Sequence, residues 1–296
     1  MNSAIYRDKK PLLLFLLPAF VFLTFFLYYP FIQNIFNSFM NISGLGTASK
    51  GMIDPWYGNY VKMYEDPNMM TAFKNTMILT VCTIVIQVGF ALVLALLVDR
   101  IKKGAKLFRT VYFFPIVISA TALGLMFNLV FLYKGGMLNQ FLQKVFGVAE
   151  NIDWKSEEHF LLTMLTPVMW QYIGFYFVVL VTGLSSIPVE MYEAAQLDGA
   201  NSMQRIRYVT LPLLRNVIST CLILAITGAL KVFDLPWVMM GSGIPMDRSW
   251  LMGTYMYNQA FLRGDVDYSS AIAVMIVVLG VVFAKLANTL FKQKDY

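Results

Sequence analysis

The sequence predicts an all-α polytopic membrane protein with six transmembrane helices. Three observations carry this reading. Of the 296 residues, 58% are hydrophobic and 14% are charged, against about 25% charged in ordinary globular chains, and the mean hydropathy is +0.63. The apolar residues fall in charge-free runs long enough to cross a hydrocarbon core of about 30 Å, which takes about 20 helical residues. The basic residues flank these runs with a one-sided bias, as expected when cytoplasmic loops retain Lys and Arg.

Nothing from Pro11 to Ser49 is charged. The first span is placed at 11–31, with an interfacial continuation to Asn41. Leu12–Tyr29 is too long for a signal-peptide core and lacks a small-residue cleavage site, so it is expected to remain a span. The following spans are expected at 75–98, 110–133, 160–185, 213–233 and 268–290. Turn residues punctuate the connections: Gly44-Leu45-Gly46, Asp54-Pro55-Trp56, Asp66-Pro67-Asn68, Gly135-Gly136 and Gly241-Ser242-Gly243-Ile244-Pro245. Trp56, Tyr57, Trp154 and Trp237 fit interfacial belts. With no internal repeat, residues 1–296 read as a single transmembrane domain.

Loop charges set the orientation. An inward N-terminus places Arg7, Lys9 and Lys10, Arg100, Lys102, Lys103, Lys106 and Arg109, Arg205, Arg207 and Arg215, and Lys285, Lys292 and Lys294 on the cytoplasmic side, fourteen of the 23 basic residues. Both termini and the segment after Pro188 are then cytoplasmic. The same distribution explains the net charge of +6 without nucleic acid. Cys82 and Cys221 each lie inside an apolar run and read as free thiols, with no disulfide or metal framework. The single His159, at the edge of an apolar run, reads as interfacial and cannot build a metal cluster.

The most polar interruption between two long apolar runs is Pro188–Leu213. Glu190 and Glu193 lie one turn apart near a helix start, where the helix dipole favours acids. Ala194 and Ala195 keep the surface small for close approach by another protein. Asp198-Gly199 breaks the helix, because glycine accepts backbone angles other residues avoid. A second short helix is expected at Ser202–Val209, with Pro212 opening the fifth span, where a missing N–H costs least. The bland alternative is an ordinary amphipathic re-entry loop.

The block Glu193-Ala194-Ala195, with Gly199 four residues after the second alanine and nine residues separating it from Val209-Thr210-Leu211-Pro212, resembles the EAA loop of ABC import permeases. The single departure is Val209 where that pattern carries isoleucine. Leu13–Phe20, continuing to Tyr29-Pro30, is similar to the first span of sugar-import permeases related to the maltose and glycerol-phosphate systems. Lys231-Val232-Phe233-Asp234, before the glycine-rich turn, is similar to their fifth-span ending, although that turn is richer in glycine in the family. The family's second permease ends in an A-V-K-G-like tail that this chain lacks, so the chain resembles the first, maltose-permease-F-like subunit of a heterodimer.

The resemblance implies a type I ABC importer permease fold (MetI-like) in a bacterial plasma membrane. It implies a second homologous permease, two ATPase subunits and an extracellular sugar-binding protein as partners. It further implies that Glu190, Glu193, Ala194, Ala195, Asp198, Gly199, Leu211 and Pro212 couple the chain to the ATPase. The chain has no G-x-x-x-x-G-K-[ST] loop, so it is expected to bind no cofactor and perform no covalent chemistry, with ATP and Mg²⁺ on the partner.

Sugar sites pair aromatic faces with hydrogen-bonding groups in a concavity. Trp170, Gln171, Gly174 and Phe175 share one face of the fourth span, and Thr227, Lys231 and Asp234 lie along the fifth. The resemblance implies that these two helices line the substrate path. Packing is the alternative for Trp170 and Phe175, and an interfacial ion pair the alternative for Lys231 and Asp234. Tyr255, Tyr257 and Asn258 are weaker candidates. The nearest rival is import of a polyol or glycerol-phosphate, which would favour arginines facing the path. A polytopic membrane enzyme would need catalytic groups gathered at one depth, and a stand-alone channel or receptor would work without an ATPase.

Overall fold

The computed structural model describes residues 10–98, 104–241 and 247–291, and among them every regular element is a helix. In chain order these are α1 (10–37), α2 (Gly58–Glu65), α3 (Pro67–Val98), α4 (Ala105–Val117), α5 (Ala120–Val130), α6 (Met137–Phe146), α7 (Phe160–Ser185), α8 (Val189–Leu197), α9 (202–230), α10 (Asp234–Met240), α11 (252–262) and α12 (Val266–Phe291). The basic residues Arg7, Lys9, Arg100, Lys102, Lys103, Lys292 and Lys294, and the Ser242–Pro245 part of the glycine turn, lie outside the described residues.

Five helices are long and apolar enough to cross a bilayer, six if the bent pair α4–α5 counts as one span. The chain is a polytopic helical membrane protein. Several of its helix ends differ from the expected spans for local reasons. Helix α1 runs on to Asn37 because nothing before Ser38 breaks it. Helix α3 starts eight residues before the expected 75, since Asp66 accepts from the Asn68 N–H at 2.9 Å and Pro67 supplies the first turn, a strong helix-start combination. The fifth span ends at Leu230, after which Lys231–Phe233 turn the chain into α10.

The expected third span, 110–133, is not one straight helix. Helices α4 and α5 meet at 94°. Pro115 removes one amide from the ladder of α4, and Ile118 and Ser119 are extended. The Ser119 hydroxyl then caps α5 by accepting from the Ala122 N–H at 3.2 Å. A helix end inside an apolar phase must satisfy its orphan groups without water, and this cap does part of that work.

By their contacts the residues gather into two compact units, Met1–Glu65 with Met256–Met275, and Asp66–Tyr255 with Ile276–Tyr296. In the first, Asn59 is buried and donates to the Ser38 carbonyl at 3.1 Å, while Lys62 pairs with Asp265 at 2.6 Å and lies over the Tyr268 ring. Residues 12–33 of α1 are exposed throughout.

The second unit packs α3, α4, α9 and α10 around α7. Ala91 and Ala95 of α3 are fully buried against Phe177 and Leu180, small residues that let helices approach closely. Where α4 crosses α7, a Cβ on Gly174 would sit 1.7 Å from the Tyr112 carbonyl oxygen. Helix α10 is tied at its C-terminal end, with Asn128 donating to the Val238 carbonyl at 3.2 Å and the Lys155 ammonium to the Met239 carbonyl at 2.9 Å. Burial pushes the Lys155 ammonium below the ordinary lysine range, partly opposed by the nearby Asp153 carboxylate. Asn139 stitches the loop after α5, donating to the Tyr133 and Ile152 carbonyls and accepting from the Trp154 ring N–H at 3.0 Å.

Gly174→Ala should therefore destabilise the protein by about 1–3 kcal/mol, the usual cost of overpacking. Gly228→Ala, where a Cβ would meet nothing within 4 Å, should be neutral or stabilising by up to about 1 kcal/mol. Thermal unfolding of the detergent-solubilised variants checks the contrast; equal midpoints would remove the close crossing.

Candidate functional site

A cavity of about 450 Å³ opens inside the second unit, where the two helix interruptions at Ile118–Ser119 and Lys231–Phe233 face α3 and α7. Its polar lining comes from Thr83 and Gln87 of α3, Gln171 and Tyr172 of α7, Lys231, and Asp234 at the first position of α10. Phe175 and Phe233 add aromatic surface, and Phe233 stacks on Trp237 at 5.5 Å.

Four of these polar groups have a structural reason to be there. Thr83 and Gln87 lie on the π-helical segment Thr83–Gly89, and Gln87 donates to the Val168 carbonyl at 2.7 Å. Gln171 donates to the Ile118 carbonyl at 3.4 Å, at the break between α4 and α5. Asp234 opens α10, where the helix dipole favours an acid. Lys231 and Asp234 do not pair: the ion pairs within 4.0 Å among the described residues are Lys62–Asp265 and Arg248–Glu157. The lining thus offers amides, hydroxyls, one cation, one anion and aromatic faces, which suits a hydrogen-bonding solute with apolar ring faces.

Four of the seven residues assigned from sequence to a substrate path, Gln171, Phe175, Lys231 and Asp234, meet at this cavity. The other three lie elsewhere. Trp170 is 41% exposed and meets Phe127 edge-to-face at 5.8 Å, Gly174 sits at the α4–α7 crossing, and the Thr227 hydroxyl donates back to the Ile223 carbonyl. Tyr255 is buried, and its hydroxyl bonds the Asp66 carboxylate at 2.5 Å. Sequence reasoning missed Thr83, Gln87, Tyr172 and Phe233. Gln87 carried a signal, a lone amide inside an apolar run, where a polar side chain needs a partner.

The second feature is the loop from Pro188 to Thr210. Helix α8 buries none of its residues, and Leu197 is 90% exposed. The end of α8 is nonetheless fixed. The Ala200 N–H bonds the Ala195 carbonyl at 2.9 Å and the Gly199 N–H bonds the Gln196 carbonyl at 3.1 Å, the two bonds of a Schellman turn. Gly199 takes φ +74°, the left-handed angle that favours glycine there. Asn201 and Gln204 then form a reciprocal capping box at 2.9 and 2.8 Å, satisfying the next helix start.

The expected separate helix at Ser202–Val209 is instead the first stretch of α9. The backbone stays helical from Ser202 through a π-helical segment, Ile206–Thr210, into Leu211–Leu230. The Leu211 N–H reaches the Ile206 carbonyl, five residues back. This widened turn accommodates Pro212, which has no N–H to give and whose ring crowds the carbonyl four residues earlier. The Tyr192 hydroxyl lies 3.3 Å from that of Thr210, linking α8 to the base of α9.

Comparison with known proteins agrees with this geometry. Residues 87–294 match the family described as "Binding-protein-dependent transport system inner membrane component". The chain is 32% identical to the "Probable ABC transporter permease protein YurN" of Bacillus subtilis (strain 168), over 94% of this chain and 95% of that protein. It is 31% identical to the "Multiple sugar-binding transport system permease protein MsmF" of Streptococcus mutans serotype c, over 90% and 91%. Among solved structures it superposes with a TM-score of 0.82 and 22% identity on a chain from a bacterial ABC transporter involved in the import of the acidic polysaccharide alginate, covering 98% of this chain and 99% of that one.

Asn201→Ala removes the side-chain arm of the capping box, the acceptor of the Gln204 N–H, and should cost about 1 kcal/mol. Amide exchange over residues 201–206 should then accelerate about fivefold, with residues 160–185 unchanged. Unaltered exchange in 201–206 would show that the cap does not hold the loop.

Proposed function

The chain belongs to the family of binding-protein-dependent transport system inner membrane components, the permeases of ABC transporters, and on that premise we propose that it forms half of the translocation pathway of a sugar or oligosaccharide importer. The single observation that carries the coupling role is the loop after Pro188, whose first helix buries none of its residues yet is locked at its end by a Schellman turn and a capping box.

In this reading both termini and the loop face the cytoplasm of a bacterial cell. Two ATPase subunits carry ATP and Mg²⁺, a second homologous permease completes the pathway, and an extracellular binding protein delivers the solute. Helix α8, with Glu190, Glu193, Ala194 and Ala195, is the docking surface. Asp198 and Gly199 form the turn, and Leu211 and Pro212 join it to the membrane helix. Because helix runs unbroken from Ser202 to Leu230, a displacement of the loop reaches the end of α9 next to the cavity without crossing a flexible joint.

The cavity is this chain's share of the solute path. Gln87, Gln171 and Tyr172 supply hydrogen bonds to hydroxyls, and Phe175 and Phe233 supply ring-facing surface. Among the described residues no arginine lines the cavity, which favours a neutral sugar over a glycerol-phosphate, since phosphate is commonly held by the forked guanidinium. The sugar-binding name of the Streptococcus mutans relative supports the same solute class.

Gln171→Ala should lower uptake by about tenfold in the assembled complex while ATPase subunits still co-purify, consistent with the loss of an oriented hydrogen bond; unchanged uptake removes Gln171 from the path. Gly199→Val forces a branched residue into a left-handed angle and should leave ATP hydrolysis uncoupled from uptake. Wild-type transport in that variant, or purification of the tagged chain without any nucleotide-binding subunit, would sink the coupling reading.

A further inference from the structure

A groove of about 780 Å³ runs between α3, α9 and α12 in the second unit, apart from the cavity described above. Its walls are apolar, with Ile84 and Leu92 from α3, Ile218 and Leu222 from α9, and Phe283 and Leu290 from α12. One charged residue lines it, Arg215. The Arg215 guanidinium donates to the Leu290 carbonyl near the end of α12. That uses one of its five N–H donors. No carboxylate lies within 4.0 Å of it among the described residues.

The level of Arg215 is set by the chain. It stands three residues after Pro212, at the loop end of the fifth span, and Leu290 is at the matching end of the sixth. On α9 the lining runs from Leu211 to Ile226, fifteen residues that at 1.5 Å rise make about 22 Å. That is about three-quarters of a 30 Å hydrocarbon core. The groove therefore reaches from the loop end of the fifth span past mid-membrane, with a cation near its loop end.

We propose that this groove holds an anionic phospholipid of the inner leaflet, its acyl chains along α3 and α9 and its phosphate on Arg215. Three facts select this occupant. Apart from Arg215, the walls offer a sugar only Thr80, whose hydroxyl is already given to the Thr76 carbonyl at 2.8 Å. A guanidinium set among apolar side chains demands an anion, and one that accepts two parallel N–H bonds suits it best, as phosphate does. Inner-leaflet headgroups present such anions at this depth, and basic pockets between spans on that side hold them. An apolar helix from a neighbouring subunit would fill the walls but leave Arg215 without a counter-charge.

The site rests on the orientation proposed above and adds a dependence to it. Arg215 lies in α9 just past the coupling loop, so a lipid held there ties the loop end of the fifth span to the end of the sixth. Coupled transport should then require anionic lipid.

The test uses the assembled importer. Native mass spectrometry of the complex purified from membranes should find one anionic phospholipid retained on this chain. Arg215→Gln should reduce its occupancy about fivefold, the equivalent of about 1 kcal/mol for one arginine near an anionic surface. Leu222→Trp, which fills the groove and leaves the charge, should displace the lipid as well. In bilayer nanodiscs, adding phosphatidylglycerol to phosphatidylcholine should stimulate solute-dependent ATP hydrolysis by the wild-type complex severalfold and leave the Arg215→Gln complex unstimulated. Equal retention in the Arg215→Gln complex, equal retention of zwitterionic lipid, or a disulfide from a cysteine at position 222 to a helix of the second permease would overturn the site. Lipid retention is read without transport, so a complex that keeps its lipid but hydrolyses no ATP counts against the importer reading alone.

Discussion

The constraint on which the rest of this structure depends is that a bilayer supplies no water to backbone N–H and C=O groups. An unbroken helix meets it automatically, so long apolar helices are the default. Every interruption has to be satisfied by protein. At the bend between α4 and α5, Ser119 caps the new helix and Gln171 reaches the Ile118 carbonyl. Beyond the Lys231–Phe233 turn, Asn128 and Lys155 hold the last carbonyls of α10. The side chains that repair these breaks are amides, hydroxyls and cations, and irregular backbone surrounded by such groups is what a polar solute path needs. The cavity lies beside these interruptions, and Gln171 both reaches the Ile118 carbonyl and lines it.

The loop after Pro188 solves the reverse problem. Helix α8 has no buried side chain to hold it, and an isolated helix of this length is marginal in water. Its order comes from its ends. Ala195 and Gln196 give their carbonyls to the turn at Gly199, and Asn201 and Gln204 restart the helix immediately. A surface held by caps rather than by burial leaves its outward side chains free for another protein. The π-helical segment before Pro212 then lets the proline sit in a continuous helical path, so the loop and the fifth span are mechanically one piece.

Much of this was legible in the residues themselves. Charge-free runs located the spans, because crossing length and apolarity are properties of consecutive residues. The spacing of Glu193-Ala194-Ala195, Gly199 and Leu211-Pro212 located the loop, because a Schellman turn is a local motif with a glycine at a fixed place. Asp66-Pro67 was read as a turn and is the cap of α3, a matter of which neighbouring run the cap joins. The bend inside 110–133 had its local marks in Pro115 and Ser119, but an apolar run of the right length concealed them. The Ser202–Val209 segment was read as separate because Pro212 usually marks a helix start, and the π turn that carries helix across it is not visible in composition.

By itself, then, the sequence determined the membrane class, the apolar runs from which the crossings are built, and the loop with its turn residues, since each follows from hydrophobic length or from backbone preferences within a few residues. Tertiary structure alone decided which polar side chains share a cavity, joining Gln87 to Gln171 and Lys231 across three helices. It placed Gly174 at a helix crossing and Arg215 in the lining of an apolar groove. Those outcomes depend on how each helix is rotated about its axis and which face meets a neighbour. In helices that are apolar all round, the periodicity of the sequence carries almost no record of that rotation.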